Sequence, residues 1–220
     1  MKQVIRPMVA ADRGGVFRIL ENAGNFTPEE VATALELIDE WLELGEHSGY
    51  PTYVFEEQGD EESRVGGYVC FGRTPLTEST YDLYWIAVDK TKHRSGVGRK
   101  LLKFAEEEVM RRGGKLLLAE TSSMETYGGT IAFYEKTGYE LVGKIVEYYK
   151  AGDDKLIFAK KLTAIVVERA APPVEEKKPI VVAVEAPDPV LTASTRDSRD
   201  PLTALNLTSR MLSALVRFDV

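Results

Sequence analysis

Cysteine is nearly missing from this chain of 220 residues: Cys70 stands alone, and histidine is scarce too, with only His47 and His93. A single cysteine excludes an internal disulfide framework and points to a reducing compartment. One thiol and two imidazoles offer no zinc-ligand spacing, so no metal is expected. Cys70 lies between Val69 and Phe71 with no activating base in sight, which predicts a small buried hydrophobe rather than an acyl-accepting nucleophile. Long apolar runs are missing as well. Nothing approaches the ~20 residues of a membrane helix, and the N-terminus lacks a signal-peptide core, so a cytoplasmic protein without a membrane partner is expected. Positive charge is outnumbered, 28 Lys and Arg against 35 Asp and Glu, for a net charge of −7. That balance argues against a nucleic-acid partner and favours a cationic one, such as an amine.

What is present is concentrated between Tyr81 and Tyr139. Tyr81–Val88 has strand composition and is followed by a glycine turn, His93-Arg-Ser-Gly-Val-Gly-Arg-Lys100, that opens a helix at Gly98. Gly96 and Gly98 allow the backbone close to a ligand. The helix start presents unpaired N–H groups and the positive end of its dipole, the makings of a phosphate site. Arg94, Arg99 and Lys100 add charge around it. A Walker loop is excluded because no Gly-Lys-Ser/Thr follows, and a dinucleotide fingerprint because its third glycine is replaced by Leu101. By itself the glycine pair also fits a plain tight turn.

Its neighbours decide. Leu101, Leu102, Ala105, Val109 and Met110 recur at helical spacing, Gly113-Gly114 stops that helix, and Lys115–Thr121 is an apolar run of strand length. A short helix, Thr130-Ile-Ala-Phe-Tyr-Glu-Lys-Thr-Gly-Tyr139, comes next. The glycine turn after Ile86-Ala87-Val88, together with the Phe-Tyr-Glu helix, resembles the GNAT acetyltransferase family, and the resemblance covers residues 1–161. His93 departs from it, standing where the family usually has Gln or Arg. Tyr127 departs too, standing where members often have an asparagine on the pantetheine.

The resemblance implies an α/β fold, a central mixed twisted sheet flanked by helices, in the order β-α-α-β-β-β-α-β-α-β-β. It also implies that the fourth and fifth strands splay apart around the cofactor. The pattern agrees: Val4–Pro7 reads as a strand, Ala10–Asn22 and Thr27–Leu44 as helices, and Thr52–Glu57 and Arg64–Phe71 as paired alternating strands. The second helix is predicted to start on Thr27 as N-cap, with Pro28 at N1 and Glu30 at N3. Tyr139–Tyr149 and Lys155–Leu162 are read as a terminal hairpin. Residues 1–162 are expected to form the acetyltransferase domain, 163–179 a proline-rich linker, and 180–220 an extension with a strand and a leucine-rich helix. That extension is read as an arm that packs on the body or forms a homodimer.

By the same resemblance the cofactor is acetyl-CoA. It would be held by Ile86, Ala87 and Val88 at the strand end, by His93, Arg94, Ser95, Gly96, Val97, Gly98 and Arg99 in the turn, and by Tyr127 and Tyr134. The Val88 N–H or a neighbour would meet the thioester carbonyl. Acetyl transfer needs a neutral amine, an oxyanion donor and a proton for the leaving thiolate. Tyr134 holds the family's thiolate-protonating position, and its ordinary pKa near ~10 keeps it protonated at neutral pH. For the base, Glu120 is ranked before Asp82, because the strand before Glu120 is apolar and burial would raise its pKa. Tyr127, Tyr148 and Tyr149 are candidates for one wall of an acceptor pocket. The stretch Glu120–Tyr127 and the stretch Tyr148–Lys155 together resemble a GNAT subgroup and imply no substrate. The expected activity is direct acetyl transfer to a primary amine, on a small molecule, an amino acid or a peptide N-terminus. The alternative is a non-catalytic acyl-CoA-binding module acting through its C-terminal arm.

Overall fold

The computed structural model describes residues 2–24, 26–59 and 63–163. Apart from Thr163, the expected linker and extension lie outside the described residues. The elements run β1 (Lys2–Pro7), α1 (Arg13–Ala23), α2 (Pro28–Leu44), β2 (Thr52–Gln58), β3 (Ser63–Arg73), β4 (Thr80–Val88), α3 (Val97–Arg111), β5 (Leu116–Ser122), α4 (Gly128–Lys136), β6 (Glu140–Lys150) and β7 (Asp153–Lys161). The expected order is therefore present, and a 3-10 turn at Ala10–Asp12 leads into α1. The strands form one sheet in the order β1-β2-β3-β4-β5-β7-β6. Among the described strands only β4 and β5 pair in parallel, as the α3 crossover between them requires.

Local chemistry explains the helix ends. The Thr27 side chain accepts from the Glu30 N–H and the Glu30 carboxylate accepts from the Thr27 N–H, so the predicted capping box starts α2 with Pro28 at N1. At the end of α3 the Gly113 N–H reaches Met110 O and the Gly114 N–H reaches Val109 O, with Gly113 at φ 83°. A residue with a Cβ resists that conformation, which is why glycine stands there. α4 closes the same way: Gly138 has φ 85°, and the Tyr139 N–H bonds to Tyr134 O.

Two apolar clusters lie on opposite faces of the sheet. Leu101, Leu102, Ala105 and Val109 of α3 pack with Leu83, Ile86, Leu117 and Phe158, and Tyr134 joins them from α4. Val16, Leu20, Leu37 and Ile38 of α1 and α2 pack with Val54, Tyr68, Cys70 and Trp85 on the other face. Covering both faces changes the expected pattern of the central strands. The first five residues of β2 are all buried, so the polar-out half of a simple alternation is absent there. Cys70 is fully buried, and burial pushes its thiol up to about 12. It is the packing residue the sequence predicts.

Candidate active site

The sheet opens between β4 and β5. Pairing runs from Thr80 opposite Leu116 to Leu83 opposite Ala119 and then ends, although β4 continues to Val88 and β5 to Ser122. The splay expected of these two strands is thus present. A bulge sits at the same point: Cys70 opposes Trp85 and Phe71 opposes Leu83, which leaves Tyr84 as the extra residue. It changes which face each side chain takes. Leu83, Ile86 and Val88 belong to the α3 cluster, whereas Trp85 and Ala87 belong to the α1–α2 cluster. A bulge of this kind re-aims the strand where it stops pairing.

Two buried polar atoms lie on the diverging segments, Trp85 Nε1 of β4 and Thr121 Oγ1 of β5. Neither has a hydrogen-bond partner among the described residues. Leaving such a group unmatched costs about 1–3 kcal/mol, a debt that a ligand bearing amide or carbonyl groups would offset.

Beyond Val88 the chain makes a 3-10 turn at Lys90–Lys92 and enters α3. The helix begins at Val97, one residue before the expected start, with Gly96 as N-cap at φ 86° and no side-chain cap. The first bond of the helix is Lys100 N–H to Gly96 O, so the first-turn amides at Val97, Gly98 and Arg99 have no acceptor one turn back. A Cβ added at Gly96 would meet nothing within 4 Å, so the space before these amides is open. Arg94 adopts φ 60°, a left-handed conformation costing ~1–2 kcal/mol outside glycine. The turn therefore fits a phosphate-bearing ligand in backbone shape as well as in dipole.

Side chains around the turn divide by task. His93 folds back, with Nε2 3.1 Å from Val88 O, so this nitrogen carries the proton and ties the turn to the strand end. Arg94 and Arg99 are exposed. Lys100 departs from the expected cluster: its ammonium bonds to Gln3 Oε1 at 2.6 Å and sits 5.7 Å from the Phe55 ring centre. A cavity of about 390 Å³ beside α3 brings Lys103, Lys136 and Lys160 together with Arg99, three cations that the sequence reading did not select. A larger one, about 870 Å³, lies between α1 and the ends of β2 and β3. Neither includes Asp82, Glu120 or Tyr134, so the site is defined by strand geometry rather than by either cavity.

Tyr134 is fully buried. Its ring stacks on Phe158 at 5.2 Å and lies 5.3 Å from Tyr139. Burial, and then the neighbouring Tyr139, push its phenol well above the ordinary value, so it stays protonated. Tyr127 is buried in the 3-10 turn that precedes α4. Tyr148 and Tyr149 are stacked edge to face at 4.8 Å near the far end of β6.

The two carboxylates differ from expectation. Glu120 is ion-paired with Lys155 and its side chain is 29% exposed, so the apolar surroundings that favoured it are absent. The strand before it is apolar because Leu117 and Ala119 face α3, while Glu120 points to the opposite face. Asp82 has the desolvated environment instead. Burial raises its pKa, the hydrogen bond that Thr74 Oγ1 donates to its Oδ2 at 2.7 Å opposes the rise, the Glu120 charge adds to it, and Lys155 opposes it to a smaller extent. Aromatic side chains line this face: Tyr84 meets Tyr50 edge-on at 5.5 Å, and Phe26 meets Trp85 in the same way at 5.5 Å. Of these residues Lys155, Thr74, Tyr50 and Tyr84 were missed, because nothing in their local sequence signals that distant strands bring them together.

Comparison with known proteins gives one consistent result. An acetyltransferase (GNAT) domain model matches residues 48–141. A solved GNAT-family protein from Desulfovibrio desulfuricans is 41% identical, with a TM-score of 0.69, over 74% of this chain and 100% of that one. A Salmonella typhimurium protein solved with its cofactor acetyl-CoA shares the fold at 22% identity and a TM-score of 0.57, over 78% and 98% of the two chains. The S-(2-succino)cysteine N-acetyltransferase of Bacillus subtilis is 28% identical over 92 residues, 42% of this chain, and the match spans only 56% of that relative's length.

Proposed function

Because this chain belongs to the GNAT acetyltransferase family, we propose that it transfers an acetyl group from acetyl-CoA directly to a primary amine. The observation that carries the reading is the parting of β4 and β5 after Leu83 and Ala119, followed by the uncapped start of α3 at Gly96. The amides of Val97, Gly98 and Arg99 would hold the pyrophosphate, and Arg94 and Arg99 would add charge. The diverging edges of β4 and β5, with Thr121 and Tyr127, would line the pantetheine. When bound, acetyl-CoA supplies a thioester acyl group to an attacking amine.

The chain's own residues manage the protons. Asp82 takes one from the acceptor's ammonium, a task helped by burial that keeps its pKa above the usual carboxylate range. Tyr134 gives one from its hydroxyl to the departing sulfur and is reprotonated by the second proton that the attacking nitrogen loses as the amide forms. The one proton left over is the one on Asp82, which passes to solvent. A backbone amide near the β4 bulge, between Trp85 and Val88, donates to the developing oxyanion. The ion pair on Glu120 supports reversing the ranking of the two carboxylates, with Asp82 first. The acceptor enters over Tyr50, Tyr84 and Tyr148, whose faces suit a cation before it loses its proton.

Thermal stability with acetyl-CoA, beside NAD as a control, tests the reading. A ligand at a hundred times its dissociation constant adds about 2.7 kcal/mol, a visible rise in Tm. A rise with acetyl-CoA alone supports it. No rise at saturating acetyl-CoA removes the cofactor site and the reading with it.

A further inference from the structure

Asp82 on β4, Glu120 on β5 and Lys155 on β7 stand on one face of three successive strands. Asp82 pairs with Leu118, Glu120 lies two residues further along β5, and Lys155 lies two residues before Ile157, the partner of Glu120. Lys155 is nearly buried, its ammonium bound to Glu120 on one side and 4.7 Å from the Tyr148 ring centre on another. A buried cation needs such partners, and two carboxylates on one face hinder each other's ionisation unless a cation stands with them.

The position of Lys155 is set by a zipper between the end of β5 and the start of β7. Ser122 Oγ donates to the buried Asp153 carboxylate and accepts from the Met124 N–H at 3.0 Å. The Ser123 N–H donates to Asp154 O at 2.9 Å, and the Asp154 N–H returns a bond to Ser123 Oγ at 2.8 Å. Asp154 Oδ1 then accepts from the Glu147 N–H at 2.8 Å, which holds the neighbouring bulge of β6. The Glu-Thr-Ser-Ser and Gly-Asp-Asp-Lys segments are thus two halves of one clamp, and its product is the placement of one ammonium.

We propose that Lys155 is a positioning residue for proton transfer: it claims Glu120 in an ion pair and leaves Asp82 as the carboxylate that accepts the acceptor's proton. This deepens the acetyltransferase reading and rests on it. The groups facing Asp82 give the signs. Thr74 from the β3–β4 loop holds Oδ2, Tyr84 follows on β4, Glu120 comes from β5 and Lys155 from β7. Around Tyr84 stand Tyr50 and Cys70, and Glu40 of α2 acts on Tyr50. Tyr148 of β6 backs Lys155. Of these only Lys155 is a cation, so its removal and the removal of Glu120 act on Asp82 in opposite directions.

The test is a carboxyl NMR titration of Asp82 in the full-length protein, which requires no turnover. Lys155→Met is expected to move the Asp82 midpoint up, on the order of one pH unit, and Lys155→Arg to bring it back. Glu120→Gln is expected to move it down, which keeps the proposal open to refutation if the Met variant does not fold. An Asp82 midpoint unmoved by both changes overturns the proposal, as does a Lys155→Arg variant that behaves like Lys155→Met. A wild-type protein that binds no acetyl-CoA would sink the acetyltransferase reading instead, and the titration would still report on Lys155.

Discussion

The two ends of the site are built from different materials. The proposed cofactor end is backbone: a glycine at φ 86°, a helix start without a side-chain cap, and strands that stop pairing. The proposed acceptor end is side chains, with a carboxylate desolvated on β4, another neutralised across β5 and β7, and rings from four separate segments. A backbone site tolerates change in most of its side chains, because the groups that bind are peptide N–H groups. A site of coupled charges depends on each partner. On the proposed reading His93 can stand where Gln or Arg is usual, because its ring ties the turn to Val88 O and the amides would do the binding.

Substitutions that separate the two ends sharpen the contrast. The largest effect is expected from Asp82→Asn, which should lower turnover about 10²–10⁴-fold while acetyl-CoA still raises the Tm. Steady-state rates beside thermal shifts check both halves. The same variant carries a stability prediction. Folded Asp82 keeps its proton to higher pH than unfolded Asp82, so the stability it adds at low pH is lost as pH rises through the raised value. At pH 7 Asp82→Asn should therefore melt no lower than wild type, and a clear drop in Tm would count against a desolvated carboxylate. The wild-type rate should fall with acidification at a pH above the ordinary carboxylate value near ~4.

Next comes Tyr134→Phe, expected to slow turnover about 10- to 100-fold with cofactor affinity kept. Unchanged turnover would assign this ring to packing against Phe158. Gly96→Val strikes the other end. The strain of a β-branched residue at φ 86° and the loss of open space should weaken acetyl-CoA about tenfold, leaving kcat at saturation close to wild type. Calorimetric titration of acetyl-CoA reads that effect. The smallest change is expected from Glu120→Gln, within about fivefold in kcat at neutral pH. A loss as large as that of Asp82→Asn would make Glu120 the base and break the distinction between the carboxylates.

Sequence legibility followed the same division. The glycine turn, the capping box of Thr27 and Glu30 and the Gly113 and Gly138 helix ends were readable, because each depends on residues within one or two turns of chain. The environment of Glu120 was not. Its neighbours Leu116–Ala119 suggest an apolar setting, yet β5 alternates, and Leu117 and Ala119 face α3 while Glu120 faces Lys155. Lys100 looked like part of a basic cluster and instead bonds to Gln3, a partner 97 residues away.

By itself, then, the sequence determined the order of elements, the backbone turn that suits a phosphate, and the family resemblance carried by that turn and the Phe-Tyr-Glu helix. Propensity, capping and glycine conformation act over short stretches, so short stretches reveal them. Tertiary structure alone decided where β4 and β5 part, that the extra residue Tyr84 re-aims Trp85, and which carboxylate Lys155 neutralises. Those outcomes rest on strand register, and a one-residue change in register sends a side chain to the opposite face of the sheet.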